Sequence, residues 1–296
     1  MVKIGITSYS LAQAIRAGKM DILQVVDYAA DHDAEHLELS PAGYTLTGNP
    51  ALVEAIRRKA EERGIALSSY TIGANFVLAG TGDDIHEITP EEYRAEIERV
   101  KGEVDIAAAL GVTRMRHDAA SRVPAAATFA QFEKDLPQVV AACREIADYA
   151  AQYGITTSVE NHGYHFQNSE RVRRLVMEVN RPNYRTTVDV GNFICADEDP
   201  LCGTMNNIDL ASMVHFKDFY IRKQVPDATT WFRSAHGKYL RGAVTGFGDL
   251  DLWSTARVIK EAGYEGFVSV EYEGHEECTT AVAQAIKNVR ALFEQA

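Results

Sequence analysis

T-T-S-V-E-N-H-G, at Thr156–Gly163, is the stretch that predicts the fold of this chain. Small and β-branched residues predict a buried strand over Ile155–Val159, and the polar residues E-N-H follow it without a spacer. Gly163 then permits a tight turn. A carboxylate such as Glu160 is costly at the end of a buried strand unless it is paired or binds a metal. The stretch therefore predicts a strand that delivers a functional side chain at its end.

Three further stretches repeat this design of an apolar strand with a metal-ligand type of residue at or near its end. They are T-T-V-D-V-G-N at Thr186–Asn192, M-V-H-F-K-D at Met213–Asp218 and F-V-S-V-E-Y-E at Phe267–Glu273. The ligand-type residues that they carry are Asp189, His215 and Glu271. Four such strands predict that the chain is organised around one convergence of polar side chains.

Strands and helices alternate regularly along the chain. Eight strands are predicted, over Lys3–Tyr9, Ala34–Ser40, Ile65–Tyr70, Val112–His117, Ile155–Val159, Tyr184–Val190, Leu210–Phe216 and Phe267–Glu271. Seven helices are predicted, over Asp21–Asp31, Pro50–Arg63, Pro90–Leu110, Phe129–Tyr153, Ser169–Val179, Asp249–Ala262 and Thr279–Gln295. Two further segments are predicted to be a polar loop, over Gly73–Thr89, and a long irregular stretch, over Lys223–Gly248.

The alternation implies a parallel sheet, and eight units imply that this sheet closes into a barrel. The rival architecture is an open doubly wound sheet, but no G-x-G-x-x-G or G-x-x-x-x-G-K-[ST] motif follows the first strand. No linker or break in composition divides the chain. The sequence therefore predicts an α/β protein with a single (β/α)₈ TIM barrel domain spanning residues 1–296.

Composition and charge narrow the classes of function. The 296 residues carry a net charge of −12, which argues against a sequence-independent grip on nucleic acid. No apolar run approaches the roughly 20 residues that a membrane-spanning helix needs, and the first strand leaves no room for a signal peptide. The four widely spaced cysteines form no C-x-x-C motif and indicate free thiols. We predict a cytoplasmic protein with no nucleic-acid or membrane partner, and a homo-oligomer stays open.

The strand ends predict a metal site. In (β/α)₈ barrels the active site lies at the C-terminal ends of the strands. A single carboxylate or histidine there is usually a cap, a surface charge or a core residue, but four in matching positions favour a shared site. The four come from strands five to eight, which are neighbours in the barrel wall: Glu160, Asp189, His215 and Glu271. Three carboxylates with one imidazole suit one divalent ion, Mn²⁺, Mg²⁺, Co²⁺ or Zn²⁺.

The same motifs carry a resemblance to a known family. V-E-N-H-G, V-D-V-G-N, H-F-K-D and G-Y-E-G-F-V-S-V-E-Y-E-G closely resemble the xylose isomerase-like barrel superfamily, the sugar phosphate isomerase/epimerase group. The resemblance covers essentially the whole chain and is strongest from Ile155 onward. Members related to the ketose 3-epimerases hold one divalent ion by Glu, Asp, His and Glu, which map here onto Glu160, Asp189, His215 and Glu271.

The resemblance implies a metal-dependent isomerase or epimerase that acts on a sugar or sugar-like hydroxy-carbonyl compound by proton transfer through an enediolate. In that group the two glutamates also move the substrate proton, so the catalytic residues implied here are Glu160 and Glu271. The implied partner is a small-molecule sugar or polyol.

Six further residues are candidates for binding the substrate. Lys217 lies two residues after His215 and therefore shares its inward direction on a strand. His162 follows Glu160 by two residues and would contact a substrate oxygen or donate a proton, against the plainer reading of a loop histidine. The other four lie at predicted strand ends or in the long segment after strand seven: Glu38, His117, His236 and Arg241.

One departure from the family pattern keeps the reaction open. Many relatives have a histidine three residues after the aspartate of strand six, and this chain has Asn192 there. Inosose dehydratases and dehydroshikimate dehydratases share much of the motif set, so a lyase is the alternative to an isomerase or epimerase. An endonuclease IV-like hydrolase is disfavoured by Asn192, by the scarcity of histidines at strand ends and by the acidic charge. A sugar-binding protein with an inactive site is the remaining reading.

Overall fold

Eight parallel strands close into a barrel in the computed structural model, which describes residues 2–296. Each strand pairs with the next one along the chain, and the eighth pairs with the first. The strands are β1 (Lys3–Thr7), β2 (His36–Leu39), β3 (Ala66–Ile72), β4 (Arg114–His117), β5 (Thr156–Glu160), β6 (Tyr184–Asp189), β7 (Ala211–Phe216) and β8 (Phe267–Val270). The predicted (β/α)₈ TIM barrel is confirmed, and each predicted strand is present within two residues of its expected bounds.

Nine α-helices are present in residues 2–296, and most of them pack against the outside of the barrel. They are α1 (Ala12–Arg16), α2 (Ile22–Asp31), α3 (Pro50–Arg63), α4 (Pro90–Leu110), α5 (Phe129–Ala151), α6 (Ser169–Val179), α7 (Pro200–Asn207), α8 (Leu252–Glu261) and α9 (Cys278–Gln295). None of the helices in this part of the chain combines the length and the apolar character that crossing a bilayer requires.

The ends of α3 and α4 show why their bounds were predictable. Each helix begins with a proline, whose fixed φ suits the first turn. Each ends at a glycine in the left-handed conformation, with a φ of 67° at Gly64 and 77° at Gly111. At the start of α4, Thr89 and Glu92 also form a reciprocal capping box. These signals depend only on residues that are adjacent in sequence, so the ends of both helices could be predicted before the fold was known.

Two short helices, α1 and α7, lie outside the predicted elements. They have five and eight residues, and helices of this length show too few apolar repeats for their periodicity to be recognised. α1 follows a turn of 3₁₀ helix at Ser8–Leu11. Gln13 in α1 donates a hydrogen bond of 2.7 Å from its side-chain amide to the carbonyl oxygen of Gly274, so α1 is fixed beside the loop that follows β8.

The segment after β7 is not irregular, contrary to the prediction for Lys223–Gly248. It contributes to a three-stranded antiparallel sheet, here called the β7–α8 sheet, whose strands are Asp218–Arg222, Phe232–Arg233 and Tyr239–Ala243. This sheet has a small apolar cluster of its own, formed by Ile194, Cys195, Phe219 and Leu240. The predicted polar loop Gly73–Thr89 likewise contains a two-residue ladder, Leu78–Ala79 with His86–Glu87.

Polar side chains fill the barrel interior beneath the strand ends. Ser158 on β5 and Thr187 on β6 share a hydrogen bond of 2.8 Å. His36 on β2 is fully buried, and its ring nitrogens contact the Ser68 hydroxyl and a backbone carbonyl oxygen. A Cβ atom at Gly5 would lie 2.1 Å from the carbonyl oxygen of His36, so only glycine fits there. The interior is therefore a packed core that supports the side chains at the C-terminal end of the barrel.

Candidate metal centre

Four side chains from neighbouring strands converge at the C-terminal end of the barrel. Glu160 and Asp189 end β5 and β6, His215 lies near the end of β7, and Glu271 directly follows β8. One ligand atom from each residue lies within 4.8 Å of the ligand atoms of the other three. The Nδ1 atom of His215 is 3.6 Å from Glu160 Oε2, 3.7 Å from Glu271 Oε1 and 4.0 Å from Asp189 Oδ2. The structure thus brings together all four residues that the sequence selects as metal ligands.

The hydrogen bonds of the cluster leave its inner atoms free for a cation. The Nε2 atom of His215 donates a hydrogen bond of 2.8 Å to Glu38 Oε2, which leaves Nδ1 facing the three carboxylates of the cluster. His215 Nδ1 is buried and forms no hydrogen bond with residues 2–296, while the buried Asp189 Oδ2 lies 3.1 Å from Lys217 Nζ. A buried polar atom such as Nδ1 calls for a partner. A divalent ion bound by Nδ1 and by the carboxylates of Glu160, Asp189 and Glu271 would supply that partner, so the residues present fit a metal.

The cluster attracts positive charge. Burial raises the pKa of Asp189 to about 7, Lys217 opposes that rise, and the carboxylates of Glu271 and Glu160 add to it. Burial lowers the pKa of His215, but the neighbouring carboxylates, that of Glu38 first among them, outweigh burial and hold the pKa well above its usual range. Both shifts arise because several carboxylates share a space from which water is excluded.

Lys217 lies beside the cluster, on the inner side of the barrel as predicted from its spacing to His215. Its Nζ atom is 2.7 Å from Glu271 Oε2, 3.1 Å from Asp189 Oδ2 and 3.2 Å from Glu273 Oε2. The side chain is almost completely buried. Lys217 therefore holds two of the four cluster carboxylates in place and lines the cavity above them.

Arg116 is the cluster residue that sequence reasoning missed. Its Nη2 atom lies 2.7 Å from Glu160 Oε2 and 2.9 Å from Asp118 Oδ1. The signal was present in R-M-R-H on β4, since Arg114 and Arg116 share one face of a strand. A buried arginine needs acidic partners; Asp118 lies two residues away, whereas Glu160 comes from the next strand.

His117 does not reach the cavity, which corrects the prediction that it contacts substrate. Because successive side chains of a strand point to opposite faces, His117 points away from the face that carries Arg116. Its ring is fully buried and packs against Phe76 and Tyr184. Burial lowers the pKa of His117 to about 4, so the ring is neutral near pH 7. Its role is to pack the wall of the barrel.

Glu38 is also placed behind the cluster and not in the cavity, which corrects its predicted contact with substrate. Its side chain is fully buried, and its two oxygens accept hydrogen bonds from Thr71 Oγ1 at 2.5 Å and from His215 Nε2 at 2.8 Å. Glu38 therefore orients the imidazole of His215 and increases the basicity of Nδ1. This partnership joins β2 to β7 across the barrel.

The change Glu38→Gln is expected to weaken Mn²⁺ binding by about 10–100-fold, because the amide keeps the shape of the side chain but loses the negative charge that supports His215. The dissociation constant is measured by competition with a chelator. Glu61→Gln, an exposed carboxylate on α3, is the matched control and should bind Mn²⁺ as the wild type does. Wild-type affinity in Glu38→Gln would show that this contact does not tune the site.

His236 and Arg241 lie outside the cavity, which corrects their predicted contact with substrate. The His236 side chain is 83% exposed, and its Nδ1 atom is 3.0 Å from Asp197 Oδ2. Arg241 lies over the rings of Trp231 and Tyr220, with its guanidinium carbon 4.6 Å and 5.4 Å from the two ring centroids. Both residues belong to the segment between β7 and α8, whose ordered sheet and turns hold them away from the cavity.

A cavity of about 340 Å³ opens directly above the cluster. His162 lines it, and its Nδ1 atom lies 3.3 Å from Asp118 Oδ1. The charge of Asp118 raises the pKa of His162 to about 9, so the ring carries a proton near pH 7. The loops after β1, β2 and β3 form the opposite wall, where Tyr9 and Tyr70 lie. The volume falls within the range of small-molecule sites.

Asn192, where the family resemblance led us to expect a histidine, contacts two of the predicted ligands. Its side-chain Nδ2 donates a hydrogen bond of 2.8 Å to Glu160 Oε1, and its Oδ1 accepts one of 3.2 Å from Lys217 Nζ. Its backbone N–H donates to Asp189 Oδ1 at 2.9 Å. Asn192 therefore orients two of the predicted ligands and Lys217.

The chain is similar in sequence to curated enzymes. An inosose dehydratase of Lacticaseibacillus casei is 27% identical over 135 residues, which are 43% of this chain and 44% of that enzyme. The aligned region thus spans less than half the length of that relative. A putative hydroxypyruvate isomerase of Mus musculus is 26% identical over 225 residues, which are 71% of this chain and 74% of that protein.

The fold is shared with solved structures and with a described family. The structure of a D-allulose 3-epimerase from Methylomonas sp. superposes with a TM-score of 0.68 at 17% identity, over 98% of each chain. The family model described as xylose isomerase-like TIM barrel matches residues 26–294. A match over most of the chain, together with the closed barrel, establishes that this protein belongs to the xylose isomerase-like TIM barrel family.

Proposed function

We propose that the protein is a divalent-metal-dependent isomerase or epimerase that acts on a sugar or a sugar-like hydroxy-carbonyl compound. The observation that carries the proposal is the group of four ligand atoms, from Glu160, Asp189, His215 and Glu271, within 4.8 Å of one another beneath a cavity. The similarity to a putative isomerase and the shared fold with a sugar epimerase support this class of reaction.

A proton on a carbon next to a carbonyl group is too weakly acidic to leave unaided near neutral pH. A divalent ion held by the four residues would supply Lewis-acid stabilisation of the negative charge that develops on the substrate oxygens. The proton itself needs a base, and a positioned carboxylate is a suitable one. Glu160 and Glu271 fill that role in this proposal, since each lies at the floor of the cavity.

The surrounding contacts hold both carboxylates in place, and they keep Glu271 ionised. Glu160 is held at one oxygen by Asn192 and at the other by Arg116. Burial raises the pKa of Glu271, but Lys217 and His215 outweigh it and hold the pKa well below its usual range. An ionised and fixed carboxylate accepts a proton from a substrate that is bound in a matching position.

His162 and Lys217 complete the proposed site as groups that contact the substrate. His162 carries a proton, is about half exposed at 49% and faces the cavity, so it can donate to a substrate oxygen. Lys217 places an ammonium group beside Glu271, where it stabilises developing oxyanion charge.

A lyase is the second candidate, favoured by the similarity to an inosose dehydratase. Elimination of water also begins with removal of a proton beside a carbonyl group. The same base would act, and His162 would protonate the departing hydroxyl group. The residues serve either outcome, so the product distinguishes the two reactions.

Deuterium exchange tests the proposal. The Mn²⁺-loaded protein is incubated in D₂O with a panel of neutral, carboxylated and phosphorylated ketoses, and the products are analysed by NMR and mass spectrometry. We expect deuterium at the carbon next to the carbonyl in an isomer or epimer of one substrate. A product lighter by one water would favour the lyase. Absence of exchange and of new product across the panel would reject the proposed proton transfer.

A further inference from the structure

The cavity above the metal centre has a second charged end. Arg16, the last residue of α1, lines the same cavity as Glu160 and Glu271. Its side chain is exposed, and its guanidinium forms no hydrogen bond or ion pair with the part of the chain that the structure describes. A guanidinium is always charged and has five N–H donors. The guanidinium of Arg16 is therefore available to bind a ligand in the cavity.

The acidic residues of the cavity wall do not need Arg16 as a counter-charge, because each has a partner of its own. Arg116 pairs with Asp118 and Glu160, and Lys217 pairs with Glu271 and Glu273. Glu103 accepts hydrogen bonds from Tyr70 and Thr47. Arg99, a further arginine of the wall, forms an ion pair with Glu96 and donates a hydrogen bond to a backbone carbonyl oxygen. Arg16 is the one charged group of the wall that is left over among residues 2–296.

The base of the Arg16 side chain is held from two directions. Gly43, with a φ of 97°, lies so close that a Cβ atom there would be 3.1 Å from Arg16 Cγ and 2.9 Å from Ile15 Cγ2. Gln13 lies one helical turn before Arg16, on the same face of α1, and is bonded to the carbonyl oxygen of Gly274. The loops after β2 and β8 therefore fix the position from which the guanidinium projects.

Tyr9 connects the two ends of the cavity. Burial raises the pKa of its phenol, Glu273 and Glu271 raise it further, and Lys217 and Arg16 lower it. The phenol lines the same cavity of about 340 Å³ as Arg16, Glu160 and Glu271, so both ends open into one space.

We propose that Arg16 binds an anionic group of the substrate, a carboxylate or a phosphate, while the hydroxy-carbonyl end of the same molecule lies at the metal centre. The inference rests on the proposed function for the position of that reactive end. Planar N–H donors match the oxygens of a carboxylate or a phosphate, and such charge-assisted contacts are strong. The substrate class is then a sugar acid or a sugar phosphate, and neutral sugars bind less tightly.

Binding of unreactive polyols tests the inference without turnover. Erythronate, erythritol 4-phosphate and erythritol carry a carboxylate, a phosphate and no charge, and their affinities for the Mn²⁺-loaded protein are measured by calorimetry at low ionic strength. We expect at least one charged ligand to bind about tenfold or more tighter than erythritol. Arg16→Gln should abolish that preference, and Arg16→Lys should retain part of it. Arg58→Gln, an exposed arginine on α3, is the matched control and should keep the full preference.

The charged ligand that loses more affinity in Arg16→Gln identifies the group that the site binds. Equal affinities of the wild type for all three ligands, or an undiminished preference in Arg16→Gln, would overturn the inference whatever reaction the protein performs. A preference that depends on Arg16, in a protein that exchanges no substrate proton, would support the anion site and reject the proposed reaction. The two proposals therefore fail separately.

Discussion

Replacing Glu160 or Glu271 by glutamine is expected to lower turnover by roughly 10²-fold or more, because each change removes a general base. Glutamine keeps the size of the side chain and one oxygen that can contact a metal. The expected loss therefore reflects proton transfer more than collapse of the site. Substitution by alanine would remove the base and the metal contact together, so its effect on turnover could not be assigned to either one.

The expectation for both residues comes from the geometry of the barrel. β5 and β8 are separated by β6 and β7 in the wall, so their two carboxylates approach the centre from different sides. Their nearest oxygens lie at almost equal distances, 3.6 Å and 3.7 Å, from the Nδ1 atom of His215. In the proposed reaction, a substrate lying between them would offer opposite faces of one carbon. One carboxylate would remove the proton and the other would return one, which would invert the centre.

Deuterium exchange in D₂O separates the two roles. If the carboxylates act on opposite faces, Glu160→Gln and Glu271→Gln should each retain exchange from only one of the two epimers. Glu61→Gln, on the outer surface of α3, should match the wild type in both directions. Near-wild-type exchange and turnover in either active-site variant, with metal bound, would reject the mechanism with two carboxylates. Lys217 or His162 would then be the next candidate for the base.

The change Asp189→Ala is expected to remove the metal from the protein. Its carboxylate is one of the four candidate ligands, and losing a ligand should weaken binding by more than the roughly 10–100-fold that loss of an orienting partner costs. Because Asp189 Oδ1 also accepts hydrogen bonds from the backbone of Gly191 and Asn192, Asp189→Asn is a second variant that preserves those contacts.

Elemental analysis after dialysis against Mn²⁺ measures this effect. The wild type should retain close to one ion per chain, and both Asp189 variants should retain far less. Asp83→Ala, an exposed aspartate in the loop after β3, is the control and should retain the wild-type amount. Equal metal content in Asp189→Ala and the wild type would show that the ion is bound elsewhere.

The predicted elements and the predicted cluster depend on signals that are local in sequence. Proline and glycine mark the ends of α3 and α4. Four apolar strands each carry a ligand-type residue at or near the C-terminal end. A barrel of parallel strands places all their C-terminal ends at one edge, so closure of the barrel is enough to bring Glu160, Asp189 and His215 together. Local signals were sufficient for the barrel and for the convergence of these side chains.

The remaining errors concern which way a side chain points and what it meets. His117 ends its strand, but successive side chains of a strand point to opposite faces, so the neighbouring Arg116 and not His117 lines the cavity. Glu38 and His215 are 177 residues apart, and nothing near Glu38 in sequence reveals that its partner is an imidazole. Contacts between residues so far apart in sequence can be identified only from the folded barrel.

The two halves of the barrel contribute differently to the site. The four ligand-type residues lie in or directly after β5–β8, whereas β3 and the segments after β1 and β2, with Tyr70, Arg16 and Ala42, form much of the cavity wall. Changes in the first half of the chain would therefore alter the fit of a substrate while leaving the four ligand-type residues in place. The same division suits protein engineering, because loops grafted into the first half would change selectivity without disturbing the chemistry.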